Sequence, residues 1–476
     1  MLFNSFHFFI FFPLVTILYF VIPHKFRWLL LLVASCYFYM AFIPYYILIL
    51  GATIVVDYFA GILIENTVEK KAKKKYLILS LVANIGVLAV FKYYNFFIEN
   101  VDNLLQSIGV ENPVPYLSII LPIGLSFHTF QAMSYTIEVY RGNFKAERHF
   151  GIYALYVMFY PQLVAGPIER PQNILPQLKK ENDFKYDRVV AGLKQMLWGL
   201  FKKIVIADRL AVVVNIVYAN PSDYDSFSIL IATYFFAFQI YCDFSGYSDI
   251  AIGAAKVMGY DLMENFRTPY ISTSIKEFWD RWHISLSTWF RDYLYIPLGG
   301  NRVVKWRWYY NLFIVFIISG FWHGANWTYI VWGALHGGYL VLSLIITSYF
   351  KFSVKQNKWQ TVFKLMLTFH LALFAWIFFR AQSMHDAGVI ISQLFNIQNY
   401  SINNILFLTH IKPVTFIVTL FLLLAFVFID PFADKIVKNR IKLKNKLLVY
   451  SFYSIVFVMI LLFGYFGETD FIYFQF

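Results

Sequence analysis

Histidine is the residue type with the clearest potential for chemistry in this sequence, because its usual pKa of about 6.5 allows proton transfer at neutral pH. His323 lies in residues 319–324, which read SGFWHG within a long apolar stretch. It follows Trp308 by 15 residues, or about 22 Å of helix at about 1.5 Å per residue. If Trp308 marks the cytoplasmic face, His323 lies at or just beyond mid-membrane, where polar groups are costly and often functional. A satisfied core histidine and a catalytic base both remain open.

His283 precedes His323 by 40 residues and lies in residues 278–287, which read FWDRWHISLS. The mixture of aromatic, charged and hydroxyl side chains continues to Arg302 and is unusual for an ordinary cytoplasmic loop. An amphipathic helix lying in the membrane interface is one interpretation. The other is a re-entrant wall of a cavity that opens toward the cytoplasm.

The remaining polar residues give little sign of a metal or nucleotide site. His336 and His370 also lie in apolar segments, but no pair of histidines has a convincing ligand spacing, so we predict no metal. Gly299-Gly300 is too short to be a phosphate loop, and no dinucleotide fingerprint occurs. The two cysteines support neither a disulfide framework nor a zinc site.

The composition indicates the kind of element that must position these histidines. Of 476 residues, 59% are hydrophobic and 14% are charged, whereas a soluble domain carries about 25% charge. Disorder, collagen, a disulfide scaffold and a nucleic-acid-binding domain are therefore disfavoured. We expect an all-α polytopic membrane protein, because apolar runs approach the roughly 20 residues that a spanning helix needs.

The apolar runs divide into strong and weak candidates. The strong ones are residues 6–23, 28–50, 77–98, 117–140, 227–255, 311–330, 331–350, 362–380, 413–430 and 447–466, and the weaker ones are 51–66, 150–168 and 195–218. Residues 150–168 contain Pro161, Gly166 and Pro167 between polar flanks, which predicts a re-entrant segment, since broken backbone at membrane depth must be enclosed.

The formal charge of +13 is read as a topology signal, because cytoplasmic loops collect Lys and Arg. Three basic clusters are expected on the cytoplasmic side, namely residues 70–75, residues 179–209 (with Lys202 and Lys203) and residues 435–446. The first apolar run has no basic region or cleavage site before it and is expected to be a retained helix. The whole chain, 1–476, is expected to form a single membrane domain, with an extracytoplasmic tail at 467–476.

Several longer motifs resemble the membrane-bound O-acyltransferase family, in particular its bacterial alginate O-acetyltransferase-like branch. They are residues 122–127 (PIGLSF), 162–168 (QLVAGPI), 243–249 (DFSGYSD), the block 279–302, 322–324 (WHG) and 378–381 (FFRA). The resemblance covers nearly the whole chain. It implies a bundle of about eleven membrane helices with re-entrant pieces around a central tunnel.

The resemblance also implies the roles of particular residues. The histidine of the Trp-His-Gly motif is the family's catalytic residue, which is His323 here, and the second polar position falls on His283. The implied reaction takes acetyl from cytoplasmic acetyl-CoA, with no permanently bound cofactor. An extracytoplasmic SGNH-type, esterase-like partner then acetylates an exported or cell-surface polysaccharide such as alginate. Arg281 and Arg302 are candidates for binding the CoA phosphates.

The C-terminal residues 471–476 read FIYFQF and allow two interpretations. By composition they form an interfacial aromatic anchor. By resemblance to aromatic C-termini of bacterial acyl-relay systems, Tyr473 accepts the acyl group and passes it on, which its phenol, with a pKa of about 10, makes chemically reasonable.

Two other functions remain open at this point. One keeps the fold and changes the cargo, for example D-alanyl transfer to teichoic acid or another envelope polymer. The other is a transporter, which would favour paired carboxylates or inverted repeats, and no clear repeat is seen. The expected location is the bacterial cytoplasmic (inner) membrane.

Overall fold

Helices form nearly all of the regular structure of this protein. The computed structural model describes residues 1–118, 121–164, 166–349, 357–396, 400, 412–438, 440, 445–467 and 471–472. Within these ranges the backbone forms helices and no β-strand. The prediction of an all-α polytopic membrane protein is confirmed.

The chain divides into two compact units. Unit 1 comprises Met1–Met196 and Ile250–Met263, and unit 2 comprises Leu197–Asp249 and Glu264–Phe476. The prediction of one membrane domain over 1–476 stays a prediction. Both candidate histidines belong to unit 2.

Unit 1 contains the first nine α-helices. They are α1 (Phe6–Val21), α2 (His24–Met40), α3 (Ile47–Asn66), α4 (Lys70–Leu88), α5 (Tyr94–Ser107), α6 (Leu125–Arg141), α7 (Phe150–Met158), α8 (Tyr160–Leu163) and α9 (Pro171–Lys179). A π-helical segment, Ala89–Tyr93, joins α4 to α5. Helix α10 (Tyr186–Leu200) starts in unit 1 and ends in unit 2.

Unit 2 contains most of the remaining helices. They are α11 (Asp208–Ala219), α12 (Ser226–Met258, whose last residues belong to unit 1), α13 (Ile275–Arg281), α14 (Ile284–Phe290), α15 (Lys305–His323), α16 (Trp327–Tyr349), α17 (Lys358–Arg380), α18 (Met384–Phe395), α19 (Pro413–Val437) and α20 (Lys446–Phe463). Two π-helical segments, Phe201–Ala207 and Arg291–Tyr295, follow α10 and α14.

Seven helical stretches among the described residues are long and apolar enough to cross a membrane. They are Pro44–Asn66, Lys70–Ser107, Ser226–Met258, Trp327–Tyr349, Lys358–Arg380, Pro413–Val437 and Lys446–Phe463. The helix Phe6–Val21 is apolar but shorter. The protein is therefore a multi-pass membrane protein, and the number of about eleven spans stays a prediction.

Some predicted runs have the wrong boundaries. Residues 28–50 were expected to form a single helix, but α2 ends at Met40 and a short 3₁₀ turn, Pro44–Tyr46, precedes α3. Proline lacks the N–H that the interior of a helix requires, so it serves as the first residue of the next element. The weak run 51–66 belongs to α3.

Residues 150–168 have the broken backbone that their sequence suggests. Helix α7 ends at Met158, and the four-residue α8 follows a non-helical Phe159. Gly151–Val164 are all buried. A Cβ on Gly124 would lie 2.7 Å from the carbonyl oxygen of Leu163, so a residue with a side chain would clash there. Protein therefore encloses the break, as the prediction of a re-entrant segment requires.

Candidate functional site

His323 is the last residue of α15, at a tight junction between two helices. A Cβ on Gly320 would lie 2.2 Å from the carbonyl oxygen of Tyr329, and a Cβ on Gly333 would lie 2.2 Å from that of Phe316. Only glycine fits at such separations, so the backbones of α15 and α16 touch. This contact fixes the end of α15 and with it the position of His323.

The turn after His323 is also fixed by side-chain contacts. Asn326 accepts a hydrogen bond from the backbone N–H of Thr328 at 3.0 Å, which caps the start of α16. A Cβ on Gly324 would lie 2.1 Å from the Tyr329 ring. The sequence SGFWHG therefore forms a helix end with little freedom to move.

Aromatic rings surround the His323 imidazole, which is 4% exposed. Its ring centroid lies 4.9 Å from that of Trp322, 5.0 Å from that of Trp332 in α16 and 5.2 Å from that of Phe379 in α17. Such an environment excludes bulk water, so hydrogen bonds and electrostatic interactions made there are stronger than in solvent.

His283 lies between α13 and α14 in a backbone conformation that non-glycine residues rarely adopt. Its φ is +42° and its side chain is fully buried. The ring centroid lies 4.6 Å from that of Phe244 in α12. Burial lowers the pKa of the His283 imidazole to about 3, so this side chain is neutral at pH 7 and can donate one hydrogen bond.

Asn265 holds the backbone that carries His283, and sequence analysis missed it. Its carboxamide oxygen accepts hydrogen bonds from the hydroxyl (2.9 Å) and the N–H (3.3 Å) of Ser285. Its backbone oxygen accepts one from the N–H of Ile284 at 2.9 Å, and its Nδ2 donates to Ser248 at 3.2 Å. A lone polar residue in a loop gives no sequence signal of this role, because its burial depends on distant segments.

One aromatic cluster contacts both candidate histidines. Trp332, which packs against His323, lies 5.9 Å from Trp376 (centroid to centroid), and Trp376 lies 4.9 Å from Trp282. The cluster continues from Trp282 to Phe266 (5.2 Å) and from Phe266 to His283 (6.4 Å). The structure thus places His283 and His323 on the border of one water-poor region within unit 2.

Two further histidines of the apolar segments, His336 and His370, have ordinary packing roles. His336 is fully buried, stacks with Phe278 and accepts a hydrogen bond from the Trp279 indole at 3.3 Å. His370 is exposed and shares hydrogen bonds with the Tyr234 hydroxyl and the Met366 carbonyl oxygen, both 2.7 Å long. Across the described ranges, no three His, Cys, Asp or Glu side chains converge as metal ligands would.

Lys202 and Lys203 are buried in ion pairs rather than exposed as surface cations, and the cytoplasmic location of their cluster stays a prediction. They lie on the π-helical segment after α10 and are 2% and 1% exposed. Lys202 pairs with Asp249 at 2.5 Å, and Lys203 pairs with Asp208 and Asp243, both at 2.8 Å. Carboxylates of α11 and α12 therefore neutralise them, so they carry no topology signal.

The two candidate CoA-binding arginines differ in their surroundings. Arg281 donates two hydrogen bonds to Glu277, at 3.1 and 2.8 Å, and a third to the Arg267 carbonyl oxygen at 3.2 Å. Arg302 is exposed and lies in the turn before α15. Asn311 fixes that turn by donating to the carbonyl oxygens of Leu298 and Gly300. Arg302 is thus the more accessible cation.

Two described residues of the C-terminal tail, Phe471 and Ile472, are buried inside unit 2. Phe471 is 0% and Ile472 is 1% exposed. The Ile472 N–H donates to the Asp243 carboxylate at 2.8 Å, and the Phe471 ring stacks on Tyr247 at 4.2 Å. Tyr473 lies outside the described residues.

Comparisons with known proteins connect this architecture to a family. The model of the membrane-bound O-acyltransferase family matches residues 148–385, which contain both His283 and His323. A protein named probable alginate O-acetylase AlgI, from Pseudomonas syringae pv. tomato, is 39% identical over 404 residues, covering 83% of this chain and 75% of the relative.

Two further relatives carry different names. The peptidoglycan O-acetyltransferase of Helicobacter pylori is 36% identical over 406 residues, covering 79% of this chain and 74% of the relative. The teichoic acid D-alanyltransferase of Bacillus subtilis is 28% identical over 299 residues, covering 57% of this chain and 71% of the relative. The prediction of an acyltransferase enzyme is confirmed, and the chain belongs to the membrane-bound O-acyltransferase family.

Proposed function

We propose that this protein takes an acetyl group from cytoplasmic acetyl-CoA and transfers it across the bacterial inner membrane, for O-acetylation of an exported or cell-surface polysaccharide. The observation that carries the proposal is the position of His323 in a buried aromatic environment at a rigid helix end, within the segment that matches the family. The names of the more similar relatives, alginate O-acetylase and peptidoglycan O-acetyltransferase, support acetyl as the cargo and a polymer as the final acceptor.

His323 serves as the general base in this mechanism. A hydroxyl is a weak nucleophile until a base removes its proton, and the imidazole accepts that proton as the oxygen attacks the thioester carbonyl. A C–O bond forms, the C–S bond of acetyl-CoA breaks, and the imidazolium returns the proton to the departing CoA thiolate. The surrounding rings exclude water, which would otherwise hydrolyse the thioester.

His283 acts differently because it is neutral and buried. A neutral imidazole whose pKa lies far below 7 is a poor base at physiological pH but can still donate a hydrogen bond. We assign it to orienting the acceptor or to stabilising the oxyanion that develops in the transition state. Asn265 supports this role by holding the backbone of Ile284 and Ser285, the two residues that follow His283.

Cations near the start of α15 bind the phosphates of the donor. Arg302 and Lys305 are exposed there, whereas Arg281 is engaged with Glu277. Phosphate binding by exposed cations is salt-dependent, so the apparent affinity for acetyl-CoA is expected to fall as ionic strength rises.

Tyr473 is the proposed intermediate acceptor, which an extracytoplasmic SGNH-type partner then discharges onto the polysaccharide. The burial of the two residues that precede it in sequence supports a place for the tail within the protein. An extracytoplasmic C-terminus, as the basic clusters at 70–75 and 435–446 predict, would give the partner access.

D-alanyl transfer is the second candidate, favoured by the similarity to a teichoic acid D-alanyltransferase. That similarity covers 57% of this chain at 28% identity, against 83% at 39% for the alginate O-acetylase. Acetyl transfer is therefore the preferred proposal.

The test is CoA release from acetyl-CoA by the purified, reconstituted protein. We expect His323→Ala to abolish release, while the matched variant His370→Ala, which changes an exposed histidine, retains it. Near-wild-type release by His323→Ala would contradict the assignment. Equal rates of thiol release from a D-alanyl carrier thioester and from acetyl-CoA would remove the preference for acetyl.

A further inference from the structure

The chain is buried again near its C-terminus after reaching the surface of unit 2. Phe466 is 72% exposed and Gly467 is exposed, whereas Phe471 and Ile472 are 0% and 1% exposed. An interfacial anchor would keep its aromatic ring on the outside of the protein. The buried pair instead occupies a specific place, which we describe by its contacts.

Asp243 provides the polar contact of this place. One of its carboxylate oxygens pairs with the Lys203 ammonium at 2.8 Å, and the other accepts the Ile472 N–H at 2.8 Å. Lys203 also pairs with Asp208 at 2.8 Å, so a single ammonium serves two buried carboxylates. A buried carboxylate is costly without donors, and the tail N–H supplies one.

The same helix provides the apolar contact. Phe471 stacks on Tyr247, with centroids 4.2 Å apart and ring planes 27° apart, and lies 5.9 Å from Phe244. Asp243 and Tyr247 are four residues apart in α12 and therefore share one helix face. The anchor for the backbone and the platform for the ring thus belong to one helical turn.

A close helix contact holds this turn against the π-helical segment. A Cβ on Gly246 would lie 2.7 Å from the Gly199 carbonyl oxygen and 3.2 Å from the backbone nitrogen of Lys203. Glycine at this position therefore allows α12 to approach closely enough for Asp243 to reach Lys203. π-Helical segments inside proteins are often found at functional sites.

Phe244 links the buried tail to the candidate site. Its ring lies 4.6 Å from that of His283 and 5.9 Å from that of Phe471. Phe471, two residues before Tyr473 in sequence, is thus linked to His283 through a single aromatic ring.

We propose that Asp243, Phe244 and Tyr247 form a seat for the C-terminal tail, and that Asp243 is a positioning residue that holds Ile472 so that Tyr473 can accept the acyl group. The role of the seat in acyl transfer rests on the proposed function. The binding of the tail to the seat does not. It assigns the ion pair of Lys203 and Asp243 a purpose: the ammonium holds one carboxylate oxygen and leaves the other to accept the N–H of the tail.

Amide hydrogen exchange of the full-length protein tests the seat directly. C-terminal peptides of the wild-type protein should exchange at least roughly tenfold more slowly than the same peptides free in solution, because a charge-assisted hydrogen bond must open first. Ile472→Pro removes the N–H donor, fixes φ and replaces the buried side chain, and it should abolish this protection, whereas Ile472→Val keeps the donor and should retain it. Phe471→Ala should also reduce protection, while Phe466→Ala, at an exposed position, should not.

Acyl labelling of Tyr473, read by intact mass after exposure to acetyl-CoA, tests the positioning role. Ile472→Pro should lower the labelling roughly tenfold or more, while its melting temperature stays near that of Ile472→Val. Exchange at the free-peptide rate in the wild-type protein would overturn the seat, and unchanged labelling in Ile472→Pro would overturn the positioning role. If a protected tail is never acetylated while CoA is released, the relay in the proposed function fails and the seat is supported.

Discussion

At the scale of single residues, His283 combines an unusual backbone with an unusual side-chain environment. Its φ of +42° is a conformation that costs a non-glycine residue about 1–3 kcal/mol. Ile284 and Ser285, which follow His283, donate hydrogen bonds to Asn265, and these bonds offset that strain. Sequence analysis identified His283 and His323 as candidates, because a histidine in an apolar segment is visible in the sequence. Asn265 was not identified, and Asp243 appeared only as the first residue of the 243–249 motif, since their roles depend on contacts with distant segments.

Substitution of His283 separates backbone strain from imidazole chemistry. Glycine adopts positive φ without penalty, so His283→Gly should fold and should be more stable than His283→Ala by about 1 kcal/mol. Both variants lack the imidazole and should lose most acetyl transfer. Melting temperatures and CoA release measured on the two variants check this expectation. Equal stability of the two variants would argue that the left-handed backbone imposes no strain.

The lowered pKa of His283 also predicts a dependence of stability on pH. Because the folded-state pKa is about 3, the unfolded chain binds a proton below about pH 6.5 that the folded protein excludes. Stability should therefore fall as pH drops from 7 to 5, by up to about 2 kcal/mol from this residue. Thermal unfolding at the two pH values should show a smaller loss in His283→Gly than in the wild type. An identical loss would mean that His283 is not buried in its neutral form.

At the scale of elements, the contact between α15 and α16 determines where His323 lies. The predicted runs 311–330 and 331–350 are separated at a different place, since α15 ends at His323 and α16 begins at Trp327. Apolar run lengths do not reveal this boundary, because the turn between the helices contains a single polar residue, Asn326, which does not interrupt the apolar run. Gly320 and Gly333 determine it through close backbone contact, which requires knowledge of the partner helix.

A matched pair of glycine substitutions tests this contact. Gly320→Ala would place a Cβ 2.2 Å from the Tyr329 carbonyl oxygen, whereas Gly338→Ala on α16 has no atom within 4 Å. We expect Gly320→Ala to cost about 1–3 kcal/mol and to reduce acetyl transfer by displacing His323. Gly338→Ala should leave both stability and transfer near wild type. Similar melting temperatures for the two variants would contradict the close packing.

At the scale of the whole molecule, composition was sufficient to predict a polytopic all-α membrane protein, because few polar residues are available to cover soluble cores. Charge was less informative. Lys202 and Lys203 contribute to the net charge of +13, yet both are buried in ion pairs. A topology argument from basic residues is therefore more secure for the exposed cluster at 70–75 than for the segment 179–209.

Labelling with a membrane-impermeant maleimide tests the expected orientation. Lys71→Cys and Phe466→Cys both introduce a thiol at an exposed position, and Cys36→Ser removes the native cysteine that is partly exposed. In sealed, right-side-out vesicles Phe466→Cys should react from outside and Lys71→Cys only after permeabilisation. The reverse pattern would place the C-terminus in the cytoplasm and exclude an extracytoplasmic partner for the tail.

The most direct test of the central claim is single-turnover acetyl transfer by the protein in sealed proteoliposomes, with labelled acetyl-CoA supplied only at the cytoplasmic face. Released CoA and protein-bound acetyl are measured together by mass spectrometry for the wild type, His323→Ala and His370→Ala. We predict CoA release with acetyl recovered on the protein for the wild type and His370→Ala, and neither product for His323→Ala. Wild-type amounts of both products from a folded His323→Ala protein would contradict the account.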